Sequence, residues 1–462
     1  MAARAPFAPP ELPGFRFVRP LGTGGFSDVS VYEQLLPHRT VAVKVLFADL
    51  GASGLASFTS EANLMARLST HPFIVTIHDA GLAPDGRPYL VMEYCSRPNL
   101  AERYRAAPLS VGDALRIGVQ LASAVETAHR AGILHRDIKP GNVLTNDYGY
   151  PALTDFGIAA AADAAPTGRE GAGSDLEAST CGSAGLSVPW SPPEMFFDVP
   201  EHDARSDVFS LAATLHTVLA GRTPFEIPTG PNTHVDLMSR IERGQVTPLT
   251  RDDAPETLVA VLNRGMSARP EGRYASALEF GRALQRVELE LGFAPTTLEI
   301  AAQQEKIVVA APHGEVSHVT EVPDFEISFS PPPALGLDVP DGDRDVVANI
   351  APPPALSLEL PDGSRELLDA VLLVGRAPSV PPGAPESRLV RIEGDGDISR
   401  NHVRVAVEGG TVIVTDLGSR NGTIVRTAGR PAQKLREGEP TPVLVGTVIE
   451  FGGGLELIVR GG

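Results

Sequence analysis

The first part of the chain begins with alternating apolar and polar residues and then changes to helical periodicity. From Phe15 the sequence FRFVRPLGTGGFSDVSVYE predicts a strand, a glycine turn and a second strand, and TVAVKVL predicts a third. A later stretch, RPYLVMEYC, has the character of a buried strand. It is followed by VGDALRIGVQLASAVETAHRAGI, whose apolar residues recur at helical spacing and predict one long amphipathic helix.

The last part of the chain, from about residue 354, has an all-β pattern. Short alternating runs such as LSLELPDG, AVLLVGR and HVRVAVEGGTVIVTDL are separated by Gly, Asp and Asn turns. This pattern predicts a sandwich of antiparallel strands. The preceding residues 291–353 contain prolines, acids and short apolar pieces without a sustained period, which predicts a linker. We therefore expect a disordered Ala/Pro tail at 1–13, a domain at 14–290, the linker, and a second domain at 354–462.

An internal duplication joins the linker to the second domain. SPPPALGLDVPDGDRD at 330–345 recurs as APPPALSLELPDGSRE at 351–366, and the second copy leads into the first predicted strand of the sandwich. One interpretation is simple expansion of a proline-rich linker. The other is that the first copy competes for the same strand position at the edge of the sheet.

Length, charge and cysteine content narrow the class of protein. A chain of 462 residues corresponds to about three structural units at ~150 residues each. The formal charge of −18 argues against nucleic acid or an anionic membrane as a general partner. The two cysteines, Cys95 and Cys181, lack metal-ligand spacing and indicate a reducing compartment. With no signal-peptide pattern and no apolar run of about 18 residues, we expect a soluble cytoplasmic protein without a membrane span.

The densest chemical signal is HRDIKPGNVL, beginning at His135, followed by TDFG. Phosphoryl transfer needs a carboxylate to orient the attacking hydroxyl and a cation to offset charge on the moving group. Asp137 and Lys139 supply these groups. It also needs an amide and a second carboxylate to hold Mg²⁺ against the nucleotide phosphates, and Asn142 and Asp155 supply those.

The order and spacing of these residues resemble the catalytic loop and metal-binding triplet of protein kinases. The resemblance covers about residues 14–290 and is closest to the eukaryotic-type (Hanks-type) serine/threonine kinases of bacteria. It implies an α+β bilobal kinase fold that uses ATP with Mg²⁺ or Mn²⁺. Lysine two places after the catalytic acid favours Ser and Thr as acceptors over Tyr. The implied catalytic residues are Asp137, Lys139, Lys44 and Glu61, the implied metal ligands are Asn142 and Asp155, and the implied ATP-binding residues are Gly22, Gly24, Gly25, Val29, Ala42, Lys44, Glu93, Cys95 and Leu144.

Three points concern the small lobe and its nucleotide pocket. Lys44 and Glu61 are expected to form the ion pair that marks the active arrangement of the small lobe. The glycine loop departs from G-x-G-x-x-G because Ser27 replaces the last glycine. Met92 has two interpretations, as plain core or as the back wall of the adenine pocket.

The segment 159–187 is small, polar and rich in glycine, so it is expected to be mobile until phosphorylation orders it. Ser179 and Thr180 are the preferred autophosphorylation candidates. Ser187 stands where kinases place a threonine that contacts the catalytic Asp and Lys, and Leu186 and Trp190 depart from the family pattern. Arg136 is either a structural cation or a partner for a phosphate on this segment. Glu194 and Arg273 resemble the buried ion pair of the large lobe, and Asp207 is expected to hold the catalytic-loop backbone.

In the second domain, three predicted loops carry GR, SRNH and SRNGT. The pattern GR…SRxH…SxNGT resembles the forkhead-associated (FHA) domain, a reader of phosphothreonine peptides. A phosphate dianion suits a guanidinium and a hydroxyl donor, and an amide can hold peptide backbone. The implied phosphopeptide-binding residues are Arg376, Ser399, Arg400 and Asn421, whereas His402 is expected to brace its loop.

These features predict a serine/threonine protein kinase with its own phosphothreonine reader, which recruits substrates or binds the kinase itself. The alternative is a catalytically silent kinase fold that displays a phosphopeptide reader. A kinase for small molecules is disfavoured by the long segment 159–187 and by the peptide-platform residues around Ser187 to Glu194. The expected partners are protein substrates and phosphothreonine-containing proteins.

Overall fold

The computed structural model describes residues 9–23, 27–47, 58–59, 62–63, 65–156, 187–196, 202–300, 355–381, 386–393, 398–451 and 454–461. Within these residues, no helix combines the length and the apolar character that crossing a bilayer requires.

The chain first forms a five-stranded antiparallel sheet with strand order β1-β2-β3-β5-β4. Alternation along β3 separates its two faces. Val41, Val43 and Val45 pack with Tyr32 on one face, whereas Ala42 and its neighbours pack on the other. Lys44 lies two residues from Ala42 and therefore shares that second face. The strands are β1 (Phe15–Thr23), β2 (Ser27–Leu35), β3 (His38–Leu46), β4 (Ile77–Leu82) and β5 (Pro88–Glu93).

A helical lobe follows the sheet. Most of its helices begin with a side-chain cap. Ser110, for example, accepts from the N–H of Asp113 at the start of α2 (Val111–Arg130). The apolar sequence of α3 is buried almost throughout, as expected for a helix at the centre of a lobe. Gly118 of α2 allows close contact there, because a Cβ would lie 2.6 Å from Leu215 Cδ1. This lobe contains α1 (Leu100–Ala106), α2 (Val111–Arg130), α3 (Ala204–Ala220), α4 (His234–Glu242), α5 (Glu256–Gly265) and α6 (Ala277–Glu290).

Short elements position the motifs between α2 and α3. A 3₁₀ turn at Pro140–Asn142 leads into the hairpin of β6 (Val143–Thr145) and β7 (Pro151–Leu153), which ends just before Asp155. Two further 3₁₀ turns, Val188–Trp190 and Pro193–Phe196, precede α3. Because β6 and β7 pair, the HRD and DFG motifs at the two ends of this hairpin are held near each other in space.

Residues 291–300, which the sequence assigns to the linker, pack along the helical lobe. The side chain of Gln285 donates to the carbonyl of Thr296 at 2.6 Å, and the ring of His71 lies 2.6 Å from the carbonyl of Glu299. Leu298 packs against the lobe core. The domain boundaries themselves stay a prediction.

The C-terminal domain is a sandwich of two sheets with strand orders β11-β10-β12-β13-β16 and β15-β14-β17-β18-β8-β9. The expectation of purely antiparallel strands is wrong for one pair, because β10 and β11 are parallel. Parallel neighbours need a crossover connection, and the alternating pattern within a strand does not encode one. The strands are β8 (Leu356–Glu359), β9 (Arg365–Leu367), β10 (Leu372–Gly375), β11 (Arg388–Arg391), β12 (Val403–Glu408), β13 (Thr411–Asp416), β14 (Ile424–Arg426), β15 (Gln433–Lys434), β16 (Thr441–Val443), β17 (Val448–Glu450) and β18 (Glu456–Gly461).

The second copy of the internal duplication forms the β8–β9 hairpin of this sandwich. Leu358 is fully buried there, and Gly363 in the turn has a φ of +83°. The first copy lies outside the described residues, so competition between the copies stays a prediction.

Candidate functional site

Lys44 of β3 and Asp155 after β7 form an ion pair in the cleft. Nζ of Lys44 lies 2.6 Å from Oδ1 of Asp155, and the lysine side chain is only 10% exposed against 36% for the aspartate. Asp155 has a φ of +65°, which costs energy for a residue with a Cβ. The neighbouring Phe156 is fully buried in the core of the helical lobe. Phe156 is thus packed in the core while the preceding Asp155 faces Lys44 on β3.

The catalytic-loop side chains form one hydrogen-bonded cluster around Asp137. Its Oδ2 accepts from Nζ of Lys139 at 2.7 Å and from Nδ2 of Asn142 at 2.9 Å. Asn142 also donates to the backbone carbonyl of Asp137 at 2.8 Å. Two of the residues that the sequence singles out, Lys139 and Asn142, therefore contact a third, Asp137, directly.

Asp207 of α3 holds the backbone of this loop. Its carboxylate accepts from the N–H groups of His135 and Arg136, both at 2.8 Å, and from Nε2 of His129 at 2.8 Å. Burial alone would raise the pKa of Asp207, but the hydrogen bonds that it accepts, led by the one from His129, hold the pKa below its usual value. These bonds secure Arg136 at a φ of +66°.

His135 connects the catalytic loop to the residue before Asp155, a role the sequence did not reveal. Its Nδ1 accepts from the N–H of Asp137 at 3.3 Å, and its Nε2 lies 2.9 Å from the carbonyl of Thr154. Burial lowers the pKa of His135, so the ring is neutral and Nε2 donates. The signal was present in the sequence as the first residue of HRD.

Arg136 is exposed, and within the described part of the chain its side chain forms no ion pair. Both interpretations of Arg136 therefore stay open. Ser187, in contrast, contacts the catalytic loop directly, because Nζ of Lys139 donates to its Oγ at 2.7 Å. Lys139 thus bridges Asp137 and the residue that begins the platform leading to Glu194.

This bridge makes a testable prediction for Ser187. In Ser187→Ala we expect kcat for peptide phosphorylation to fall by about tenfold, because one hydrogen bond to a charged group, worth about 1.5 kcal/mol, is lost. Ser187→Thr keeps the hydroxyl and should stay within about twofold of the unmodified chain. Steady-state kinetics would contradict the role if both variants gave the same rate.

The expected walls of the adenine pocket come together in one apolar cluster. Ala42 and Met92 are buried, and Val29, Cys95 and Leu144 pack against them. Burial raises the pKa of the Cys95 thiol to about 12, helped by the charges of Glu93 and Asp147, so this cysteine behaves as a neutral apolar wall.

The other expected nucleotide contacts are only partly described. The N–H of Glu93 donates to the carbonyl of Thr76 at 2.9 Å, so a contact from Glu93 to adenine would have to use its carbonyl. Gly22 is exposed at the end of β1. Gly24, Gly25, Glu61, Ser179 and Thr180 lie outside the described residues, and so does the expected ion pair of Lys44 with Glu61.

Asn142 and Asp155 fit a hard cation. Asn142 uses its amide nitrogen on Asp137, which leaves the amide oxygen as its ligand atom. Asp155 contacts Lys44 through Oδ1, which leaves Oδ2. Amide and carboxylate oxygens are the donors Mg²⁺ prefers, and it usually takes only one or two carboxylates from the protein, with phosphates and water completing its shell.

Glu194 and Arg273 form the expected buried pair. The two Nη atoms of Arg273 lie 2.6 and 2.8 Å from the carboxylate of Glu194, and the arginine side chain is fully buried. Burial opposes ionisation of Glu194, but Arg273 keeps its pKa below the usual value. The pair ties the segment before α3 to the start of α6.

In the C-terminal domain, three loops meet at one end of the sandwich. The carbonyl of Ser399 accepts from the N–H of Arg376 at 3.1 Å, and its Oγ accepts from the N–H of Arg420 at 3.0 Å. The Ser399 hydroxyl therefore keeps its own hydrogen to donate. The Arg376 and Arg400 side chains are exposed and, among the described residues, form no ion pair. Asn421 lies exposed on the third loop.

Buried polar residues brace these loops. The fully buried ring of His402 accepts from the N–H of Ser399 at 3.2 Å and packs on Phe451, as expected for a bracing residue. Gly375 allows the first two loops to touch, because a Cβ there would lie 1.9 Å from the carbonyl oxygen of Arg400.

The sequence did not single out Asp416 or Asn401. Asp416 accepts from the hydroxyls of Ser419 and Thr423 at 2.6 and 2.5 Å. Asn401 exchanges two hydrogen bonds with the backbone of Ser379. Their position inside or beside the SRNH and SRNGT motifs was the available signal.

Comparison with known families agrees with this geometry. Residues 15–278 match the protein kinase domain, which is more than half of the chain, so the chain belongs to the protein kinase family. Residues 372–452 match the FHA domain. The predicted fold class, a bilobal kinase fold followed by an all-β sandwich, is confirmed.

Among curated relatives, the serine/threonine-protein kinase PknK of Mycobacterium bovis is 37% identical over 320 residues, which is 68% of this chain and 27% of that protein. The serine/threonine-protein kinase PknB of Mycolicibacterium smegmatis is 35% identical over 301 residues, which is 63% of this chain and 45% of that protein. This chain therefore spans about a quarter of the length of the first relative and under half of the second.

Proposed function

We propose that this chain is a serine/threonine protein kinase that transfers the γ-phosphoryl group of ATP to hydroxyls of other polypeptides. The observation that carries the proposal is the joined cluster of Asp137, Lys139 and Asn142, with Ser187 on its lysine. A second carboxylate, that of Asp155, accepts a hydrogen bond from Lys44. This arrangement contains the charges that phosphoryl transfer requires.

Each residue has a defined task in this proposal. Both side-chain bonds to Asp137 fall on Oδ2, so Oδ1 is the oxygen assigned to the substrate hydroxyl. Lys139 offsets negative charge on the transferred group, and its contact with Ser187 aligns the start of the peptide platform. Lys44 holds the α- and β-phosphates of ATP, and the cluster of Ala42 and Leu144 encloses the adenine.

Asn142 and Asp155 are the residues that would hold Mg²⁺. When bound, the cation neutralises charge on the β- and γ-phosphates. The chain's own contribution is to aim two oxygen ligands: the bonds of Asn142 to Asp137 fix its amide, and Lys44 fixes Asp155.

The competing function is a silent scaffold that only displays the phosphopeptide reader. The contact of Lys44 with Asp155 at 2.6 Å and the burial of Phe156 favour the enzyme, since both belong to an arrangement ready for nucleotide. Incubation of the full chain with labelled Mg·ATP and peptides offering a single Ser, Thr or Tyr tests the proposal. Label on the Ser and Thr peptides supports it, whereas label on none of them, or on Tyr alone, contradicts it.

We propose further that the FHA domain binds phosphothreonine through Arg376, Arg400 and the free hydroxyl hydrogen of Ser399, with Asn421 on the peptide backbone. In Arg376→Ala we expect affinity for a phosphothreonine peptide to fall about 10- to 100-fold, because charge-assisted hydrogen bonds contribute about 1.5–3 kcal/mol.

Fluorescence titration with matched phosphorylated and unphosphorylated peptides measures this effect. Arg388→Ala is the control. Arg388, at the start of β11, pairs with Asp369 and is not among the residues assigned to phosphate. Equal affinity for both peptides, or equal loss in the two variants, would contradict the assigned site.

A further inference from the structure

The last helix of the kinase domain, α6, is buried on more than one face, whereas a helix at the surface of a lobe usually buries only one. Phe280, Ala283 and Leu284 face the lobe core, as the amphipathic pattern requires. Arg282 and Gln285 lie on other faces, yet each is less than 7% exposed. A second structure therefore covers these polar positions.

The turn between β12 and β13 of the FHA domain provides part of this cover. Nε of Arg282 lies 3.1 Å from Oε2 of Glu408, and Oγ1 of Thr411 donates to the backbone carbonyl of Arg282 at 2.9 Å. Arg286 donates to the carbonyl of Gly410 at 3.1 Å. Side chains and backbone of both domains therefore take part.

Two further features make this contact specific. Gly409 approaches α6 so closely that a Cβ would lie 2.1 Å from the carbonyl oxygen of Glu279, so only glycine fits there. Arg430 donates to the carbonyl of Leu289 at 2.5 Å, where the end of the helix leaves carbonyls that favour a cation.

The charged pair in this contact is shielded from water. The side chains of Arg282 and Glu408 are 7% and 24% exposed. Burial lowers the pKa of Arg282 and the charge of Glu408 opposes that shift. Removing either partner would leave the other charge incompletely solvated, so the pair favours one fixed seating of the domain.

The phosphopeptide loops lie at the opposite end of the same strands. β12 starts directly after His402 of the SRNH loop and ends at Glu408, and β13 runs back from Thr411 to Asp416 beside the SRNGT loop. Six residues at about 3.3 Å each separate the two ends by about 20 Å. The end that sits on α6 is therefore not the end that binds phosphate.

We propose that the FHA domain is docked on α6 through Arg282, Glu408 and the glycine turn, and that this seating turns its phosphothreonine loops toward a second polypeptide rather than toward its own chain. The inference rests on the proposed function of these loops. Candidate Thr180 is seven residues before Ser187, which limits its reach from the catalytic loop to about 25 Å at full extension. Crossing α6, about 10 Å wide, and following the ~20 Å length of β12 adds up to about 30 Å, which exceeds that reach.

The docking is tested in the full chain by charge reversal. Glu408→Arg and Arg282→Glu should each increase the radius of gyration measured by small-angle X-ray scattering, and the double exchange should restore it. Arg365→Glu, which removes an exposed ion pair with Glu359 elsewhere on the sandwich, should not change it. Glu408→Arg should still bind a phosphothreonine peptide, which shows that the domain remains folded. An unchanged radius in both single variants overturns the docking.

The choice of partner is tested by peptide affinity at nanomolar protein concentration, before and after autophosphorylation of the full chain. If the docked domain turns its loops away from its own chain, the peptide affinities before and after autophosphorylation should agree within about twofold, because the chain's own phosphate does not compete. A drop of tenfold or more after phosphorylation overturns the inference. Absence of peptide binding by the unphosphorylated chain would instead refute the reader function itself.

Discussion

Asp137→Asn is expected to lower kcat for peptide phosphorylation by about 10²- to 10⁴-fold, the usual contribution of a general base. The amide can still accept from Lys139, so the loop keeps its shape, but it no longer accepts the substrate proton. Lys44 and Asp155, the residues assigned to the nucleotide and its metal, are untouched, so KM for ATP should remain within about threefold.

Steady-state kinetics over a range of ATP and peptide concentrations measures both quantities. Asp362→Asn serves as a matched control, because this exposed acid accepts from Ser364 in the turn between β8 and β9 of the other domain and is expected to leave kcat unchanged. If Asp137→Asn retained the rate of the unmodified chain, Asp137 would not be the base.

Arg273→Ala is expected to reduce the free energy of unfolding of the helical lobe by about 3–5 kcal/mol, because it leaves the buried carboxylate of Glu194 without its positively charged partner. Arg273 also donates to the backbone carbonyls of Ser267 and Ala268, so several acceptors lose their donor together. Arg273→Lys keeps the charge but not the two-pronged contact, and we expect an intermediate loss.

Trp190 provides the readout, since it is the only tryptophan in the sequence and its Nε1 donates to Thr217 of α3. Denaturant titration followed by its fluorescence reports on the helical lobe. Arg205→Ala, which removes a partly exposed pair with Asp203, should cost less than about 1 kcal/mol. Equal losses in Arg205→Ala and Arg273→Ala would contradict the structural role of the buried pair.

The sequence predicted the parts of the candidate catalytic site that lie within short motifs. Asp137, Lys139 and Asn142 are neighbours in the chain, so their spacing alone brings their side chains into one loop. The position of Ser187 could be counted back from SPPE, and the structure places it on Lys139. Local spacing carries this information because short segments have few ways to bring such groups together.

Long-range contacts left no comparable signal. Arg282 and Glu408 are 126 residues apart, and each looks like an ordinary exposed charge in its own element. The same holds for His71 and Glu299, whose contact draws part of the expected linker onto the kinase domain. The parallel pairing of β10 and β11 depends on a crossover loop rather than on the alternation within either strand.

Mass spectrometry of the purified full chain after incubation with Mg·ATP tests most directly whether the clustered side chains around Asp137 transfer phosphate to protein hydroxyls. We predict phosphate on Ser or Thr residues of the unmodified chain and none on Asp137→Asn treated in parallel. An unmodified chain that gains no phosphate on itself or on added peptide, or an Asp137→Asn chain that gains as much, would contradict the enzymatic function.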